Sequence, residues 1–308
     1  MRSKRNIHGG FFKRAGAFYG STKRRKYFEG WYVKQNNGHE TVAFIPAFHV
    51  DSFGKPSASM QAITSAGSYH MRFSACDFHA DEKGFNVNLG ANRFTINGAE
   101  IDFRTKDVSI CGSLSFSEWT PLQYDIMGPF RFVPFMQCSH GVLSLFHRVD
   151  GMLSINGSPL SFINGTGYIE TDRGISFPSV YLWTQCNWHA DEACCIMLSI
   201  ADIPFLGARF TGCIGCVFFN GREYRFATYL GVKIERFSES GAYIRQGDMR
   251  LVAELIESNA HSLWAPESGD MIRTIHEHAK CTVRYRFEKS GETLLDFTCS
   301  HASFEFAR

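Results

Sequence analysis

A rhythm in the sequence limits the fold more than any single motif does. Short runs of alternating apolar and polar residues, separated by clusters of Gly, Asn and Ser, follow one another along nearly the whole chain. They cover residues 28–34, 41–50, 60–64, 68–79, 85–89 and 108–116, then 142–147, 167–172, 181–187, 195–200, 210–219, 222–230, 282–287 and 294–306. A period of two puts one apolar face on a pleated strand, and runs of this length rich in Val, Ile, Phe and Tyr predict β-strands. Only residues 248–258 and 269–279 predict partly helical segments. The predicted class is all-β, with one or two short helices.

Three stretches place Asn-Gly between two such runs: FTINGAEIDF (94–103), LSINGSPLSF (153–162) and VFFNGREYRF (217–226). Asn-Gly accepts positive φ at both central positions of a type I′ turn, so each predicts a tight hairpin. Antiparallel strands in this number close into barrels or sandwiches, because closure removes exposed edges. A chain of 308 residues is too long for one ordinary core. The rhythm breaks at DIMGPFRFVPFMQC (125–138), where Gly and two Pro interrupt it. Two barrel-like units are therefore expected, 1–138 and 139–308, the first opening with a basic arm over about residues 1–26.

That arm holds Arg2, Lys4, Arg5, Lys13, Arg14, Lys23, Arg24, Arg25 and Lys26 with no acid among them. Such a run suits a solvated terminus or a peripheral contact with an anionic membrane. The overall charge of only +2, and no alternation of basic and aromatic residues through a domain, argue against a nucleic-acid partner. No apolar core follows the charged N-terminus, and no run approaches the roughly 18 apolar residues of a spanning helix. A cytoplasmic protein is expected, its ten cysteines reduced. The 29 Phe, 11 Tyr and 5 Trp provide rings for an apolar pocket, and a small barrel encloses one small ligand. The expected partner is a lipophilic small molecule.

Three strand faces carry chemistry. In GYIETD (167–172), Tyr168, Glu170 and Asp172 share one face, since alternate strand residues point the same way. Two carboxylates about 7 Å apart perturb each other where the site is dry, and one then stays protonated as an acid. The alternative is that both bind backbone amides or an Arg. In YFEGWYVK (27–34), Glu29 and Trp31 share a face, a carboxyl against an apolar wall; Tyr32 and Lys34 share the other. In VYLWTQCNW (180–188), Trp183, Gln185 and Asn187 share a face that suits a ligand with one polar end. The Cys213–Cys216 pair sits at a strand spacing that points its thiols apart, His276 and His278 share a strand face with no third ligand spaced near them, and His49, His140 and His147 are scattered as satisfied core or surface histidines are. No metal site is expected, and no phosphate loop, dinucleotide fingerprint or nucleophile elbow is present.

These clusters together resemble the tocopherol cyclase family. The likeness is carried by YFEGWYVK, MGPFRFVPFMQCSHGVLSLFH (127–147) and GTGYIETDRGISFPSVYLWTQCN (165–187), with SIADIPFLGARFTG (199–212), YRFATYLG (224–231) and LWAPESGDM (263–271). It spans the chain from about Lys26 onward. The chain departs from the family pattern at Arg173, where a Trp is usual. The resemblance implies two lipocalin-like domains, distantly similar to carotenoid hydratases and lipocalin-type cyclases. It further implies cofactor-free acid-catalysed cyclisation, or a related isomerisation or hydration, of a prenylated or other lipophilic substrate bound in an apolar pocket. Glu170 or Asp172 would be the acid, with Glu29 a further candidate. Trp31 and Trp183 would form the aromatic wall, and Tyr32, Lys34, Tyr168, Gln185 and Asn187 would contact the substrate. A non-catalytic carrier or sensor of a hydrophobic molecule is the alternative.

Overall fold

The computed structural model describes residues 16–134, 136–189, 193–205 and 207–308. Of the basic arm, Arg2 to Arg14 lie outside these residues; Lys23, Arg24, Arg25 and Lys26 are described and exposed. The fold is all-β, a nearly closed antiparallel barrel followed by a second sheet.

The first sheet contains β1 (Tyr27–Asn36), β2 (Thr41–Val50), β3 (Pro56–Thr64), β4 (Gly67–Ser74), β5 (Phe78–Ala80) and β6 (Asn86–Leu89). It continues with β7 (Asn92–Thr95), β8 (Gly98–Arg104), β9 (Ser109–Thr120), β10 (Cys138–Ile155), β11 (Ser158–Ser161) and β12 (Gly165–Gly174). Its order is β4-β3-β2-β1-β12-β10-β9-β8-β7-β6-β5, with β11 on β10. The second sheet contains β13 (Tyr181–His189), β14 (Ala193–Phe205), β15 (Ala208–Phe219), β16 (Arg222–Ala227) and β17 (Lys233–Ser238). It is completed by β18 (Gly241–Gln246), β19 (Met249–Glu257), β20 (His261–Glu267), β21 (Asp270–Lys289) and β22 (Glu292–Ala307). Its order is β16-β15-β14-β13-β22-β21-β19-β18-β17, with β20 on β21.

Three expectations are corrected. The sheets divide between Gly174 and Tyr181, not near residue 138. Gly128, Pro129 and Pro134 do break the strand rhythm, into a 3-10 turn at Gly128–Phe132. The chain then re-enters the first sheet as β10, and β12 slots between β10 and β1. The two segments expected to be partly helical are strands β19 and β21. In β19 Leu251 and Ala253 are buried and their neighbours less so, a period of two that pairing with β18 and β21 enforces over helix propensity. The Asn-Gly turns form at Asn156-Gly157 and Asn220-Gly221, where both residues have positive φ. At the third site the turn slips back one residue, onto Ile96-Asn97.

Each sheet has its own apolar core. Trp31, Val33, Phe44, Phe94, Phe103 and Ile169 fill the first. Leu182, Leu198, Phe226, Tyr285, Phe287 and Phe304 fill the second. A third cluster joins the two sheets back to back and includes Tyr32, Leu145, Tyr168, Trp183, Met197 and Ile275. It sits where β1, β12 and β10 face β13, β22 and β21.

Candidate functional site

A cavity of about 170 Å³ opens in this junction. Strand alternation decides what enters it. On β1, Phe28, Gly30 and Tyr32 point toward the second sheet, while Glu29 and Trp31 point back. On β12 the outward set is Tyr168, Glu170 and Asp172, and cross-strand register places His140 of β10 and Gly30 of β1 on either side of Asp172. Gly30 has no side chain, so the space over Asp172 stays open. The facing wall comes from β13, β21 and β22: Tyr181, Trp183, Glu277 and Glu305.

Glu170 is the most tightly held of these acids. Tyr168 Oη donates to its Oε2 at 2.5 Å and Trp183 Nε1 donates to the same oxygen at 3.1 Å. His140 Nε2 stands 3.4 Å from that oxygen. Among the described residues Oε1 takes no donor. The His140 ring spans both carboxylates, because its Nδ1 lies 3.0 Å from Asp172 Oδ1. Cys138 Sγ adds a weak donor to Asp172 at 3.5 Å. Burial pushes the Glu170 carboxyl up; the His140 charge pulls it back, Asp172 pushes it up again, and the balance is about 7. Burial alone would lower His140, but Asp172 and Glu170 outweigh it and raise the imidazole to about 9. Near neutral pH the site thus holds an imidazolium beside a carboxyl that is part protonated.

The opposite wall holds a second carboxyl pair. Tyr32 Oη donates to Glu277 Oε1 at 2.7 Å, and Tyr181 Oη donates to Glu305 Oε1. Burial lifts Glu277 to about 7 against the pull of Tyr32 and Lys34. Burial and the Glu277 charge raise Glu305 well above the carboxylate range. The rest of the lining is mainly apolar, with His49, Gln61, Gln137, Ser199 and Thr228 as its other polar side chains, and the described lining contains neither Lys nor Arg.

Lys34 lies behind this wall, fully buried. Its ammonium donates to Gln185 Oε1 at 3.0 Å, Ser303 Oγ at 2.7 Å and the His301 carbonyl at 3.2 Å. Gln185 Nε2 donates to Asn187 Oδ1, and Asn187 Nδ2 donates to the carbonyls of Leu145 and Gly167. Three donors meet three acceptors, so the charge is hydrogen-bonded although burial lowers its pKa.

The structure therefore sorts the predicted residues into three groups. Glu170, Asp172, Tyr32 and Trp183 line the cavity, and Tyr168 backs Glu170. Lys34, Gln185 and Asn187 form the polar layer that ties the sheets together behind it. Glu29 and Trp31 are corrected: they face away from the cavity. Trp31 packs with Phe18 and Phe78 inside the first barrel. Glu29 accepts from Tyr19 N–H and Tyr27 Oη, and burial raises it to about 7. Arg173 shares that far face and lies 4.2 Å over the Tyr19 ring, so it forms no ion pair with Glu170 or Asp172. Sequence reasoning missed His140, Tyr181, Glu277 and Glu305 as partners of one cavity. Glu277 alternates with buried Ile275 and Ala279, a period-two signal that marked it as inward-facing.

His140, Glu170 and Asp172 offer donor atoms within 4.8 Å of one another, close enough to hold a cation. A divalent ion there would have to displace one proton of the His140 imidazolium, which Asp172 and Glu170 stabilise, and the proton that Glu170 partly holds.

No family model matches the chain, and no curated protein matches it. Solved structures do. An AttH-like protein from Nitrosomonas europaea aligns at TM-score 0.57 and 12% identity, over 96% of each chain. Kievitone hydratase from Nectria haematococca aligns at TM-score 0.52 and 10% identity, over 95% of this chain and 94% of its own. CghA with Sch210972 aligns at TM-score 0.55 and 11% identity, over 91% of this chain and 88% of its own. At such identities the likeness concerns the fold. This chain thus shares, over nearly its full length, a lipocalin-like fold that also serves a hydratase and CghA.

Proposed function

We propose that the protein is an acid–base catalyst that protonates a carbon–carbon double bond of an apolar substrate and directs an oxygen onto the resulting cation. The observation that carries this reading is Glu170: a buried carboxyl near pKa 7, oriented by Tyr168 and Trp183, facing an apolar cavity with no Lys or Arg in its lining. An acid that titrates near the working pH gives up its proton efficiently. Glu170 Oε1, free of other donors, passes the proton to one alkene carbon, and the other becomes the cation. The Trp183 and Tyr32 rings and the carboxyl groups of the cavity stabilise that charge. A hydroxyl of the substrate, or a water, attacks the cation and returns its proton to the Glu170 carboxylate. The first case is a cyclisation and the second a hydration.

The size of the cavity restricts the substrate. About 170 Å³ is below the ~300 Å³ from which drug-sized ligand pockets start. The reacting end would be enclosed, and a longer tail would leave past Phe130, Phe177 and Phe210, half-buried members of the lining. Ring closure of a prenylated quinol, as the sequence resemblance implies, belongs to this reaction class. The neighbouring folds named a hydratase and CghA are consistent with the class but do not choose within it.

The test incubates the protein with a prenylated hydroquinone and, separately, with an isoprenoid alkene lacking the quinol, in D₂O. Deuterium on the former alkene carbon of the product is expected, and Glu170→Gln should slow its appearance by ~10² or more. A carrier would instead retain the probe unchanged, with Glu170→Gln binding it equally well, and that outcome would remove the catalytic reading.

A further inference from the structure

We infer that the Phe130 end of the cavity is a membrane-docking face, through which the protein rests on an anionic bilayer while the cavity mouth meets the lipid. The observation is a ring of exposed apolar side chains on segments that border the cavity. Phe53, at 95% exposure, tips the turn after β2. That turn is bonded to the basic run, since Lys26 N–H donates to the Asp51 carbonyl at 3.0 Å. Phe132, at 78% exposure, ends the 3-10 turn whose Phe130 lines the cavity. Ile272, at 62% exposure, follows the cavity-lining Met271.

Backbone contacts join these segments into one rim. A Cβ on Gly269 would meet the Val50 carbonyl at 2.3 Å and Tyr27 N at 2.6 Å, so the turn before Met271 lies against the start of β1. Gly269 N–H donates to the Ile175 carbonyl, and Ile175 N–H donates to the Gln137 carbonyl, both at 2.8 Å. Gln137 lines the cavity, as does Phe210, which stacks on Phe130 at 6.2 Å. A folded soluble domain has no packing reason to expose Phe53, Phe132 and Ile272 around one opening.

Charge chooses the occupant. Arg24, Arg25 and Lys26 are exposed beside Phe53 and form no ion pair among the described residues, whereas Arg131 and Arg209 are matched by Asp125 and Asp202. The rim's own acids are Asp51, Glu267 and Asp270, of which Asp51 accepts from the backbone N–H groups of Phe53 and Lys55 beside it. Unmatched cations next to insertable aromatic and aliphatic side chains complement anionic lipid, which attracts the former and solvates the latter. A bilayer is also the phase from which an apolar substrate would enter. The inference concerns binding alone and stands or falls without any turnover.

The experiment is sedimentation of the full chain with vesicles of phosphatidylcholine mixed with phosphatidylglycerol, and with phosphatidylcholine alone. Binding to the mixed vesicles is expected, weakened by salt. Arg24→Gln with Arg25→Gln should weaken it by about 25-fold, roughly fivefold per cation. Phe53→Ser with Phe132→Ser should weaken it roughly tenfold or more, including at high salt. The control is Met152→Ser with Ile163→Ser. These exposed apolar residues lie toward the other end of β12, ~30 Å away along the strand, and should change nothing. Equal loss in the control, or no binding to the mixed vesicles, overturns the inference. So does light scattering that shows a dimer of this chain dissolved by Phe53→Ser with Phe132→Ser, which would make the face a contact between copies.

Discussion

Replacing Glu170 by Gln should change how stability depends on pH, and the size of the change follows from the site. The ordinary value of the group is 4.5, and burial with Asp172 nearby lifts it to about 7 in the folded state. Between these values the folded protein holds a proton on Glu170 that the unfolded chain has released. Stability follows the difference in bound protons, unfolded minus folded, which is negative here, so wild-type stability must fall as pH rises. From pH 5 to 6.5 this single group should cost about 2 kcal/mol. The window ends at 6.5 for a reason. His140 is charged on both sides of it in the folded wild type, but above it the imidazole of the variant, facing one anion fewer, begins to titrate differently.

Gln is the appropriate replacement because its carbonyl can still accept from Tyr168 and Trp183, so packing and two of the three contacts survive. The assay is urea denaturation of both proteins at pH 5, 5.5, 6 and 6.5, with the midpoints and slopes compared. Titrating groups that do not feel the Glu170 charge contribute equally to both proteins and cancel, whereas Glu305, which that charge raises, loses this contribution in the variant. The variant should gain on the wild type by about 2 kcal/mol across the series. Parallel curves would show that Glu170 titrates as an ordinary carboxyl, and the acid role would then lose its physical basis.

Two further outcomes follow from the geometry. Lys34→Met keeps the length of the side chain but leaves the acceptors of Gln185, Ser303 and His301 without their shared donor, so the urea midpoint should fall by the equivalent of about 2–4 kcal/mol; an unchanged midpoint would mean that the tripod contributes little. Trp31→Ala should lower stability by about 3–5 kcal/mol yet leave the pH slope attributed to Glu170 intact, because Trp31 packs in the first barrel and not in the cavity. A variant that lost the slope as well would return Trp31 to the site.

The sequence showed its strands because a half-buried pleat writes its period into every run, and it showed the Tyr168, Glu170 and Asp172 face for the same reason. The period says which residues share a face but not which side of a strand meets the core. Glu29 and Trp31 alternate as cleanly as Phe28 and Tyr32, and only the pairing of β1 with β2 and β12 decides that the first pair turns into the barrel. The domain division failed on long-range order. Local breakers at Gly128 and Pro129 are real, but nothing near them says that β12 returns to β1, some 140 residues earlier in the chain. The helical expectation for β21 failed because its length and charge resemble an amphipathic helix, while its alternation of Ile275, Glu277 and Ala279 fits the sheet.

The same reasoning locates the acidity of the site. Glu170 and Asp172 come from the first sheet, Glu277 and Glu305 from the second. Taken alone, each sheet would present its pair to water, where a carboxyl keeps its ordinary value. Packing the two outward faces removes that water, and burial is the first cause of the rise at Glu170, Glu277 and Glu305 alike. The polar layer of Lys34, Gln185, Ser303 and Asn187 fixes the spacing of the faces through hydrogen bonds that cross from β1 to β13 and β22. A carboxyl able to donate a proton near neutral pH is thus a property of the junction and not of either strand. The local charge pattern therefore pointed to two of the acids, whereas the other two became visible only once the second sheet was in place.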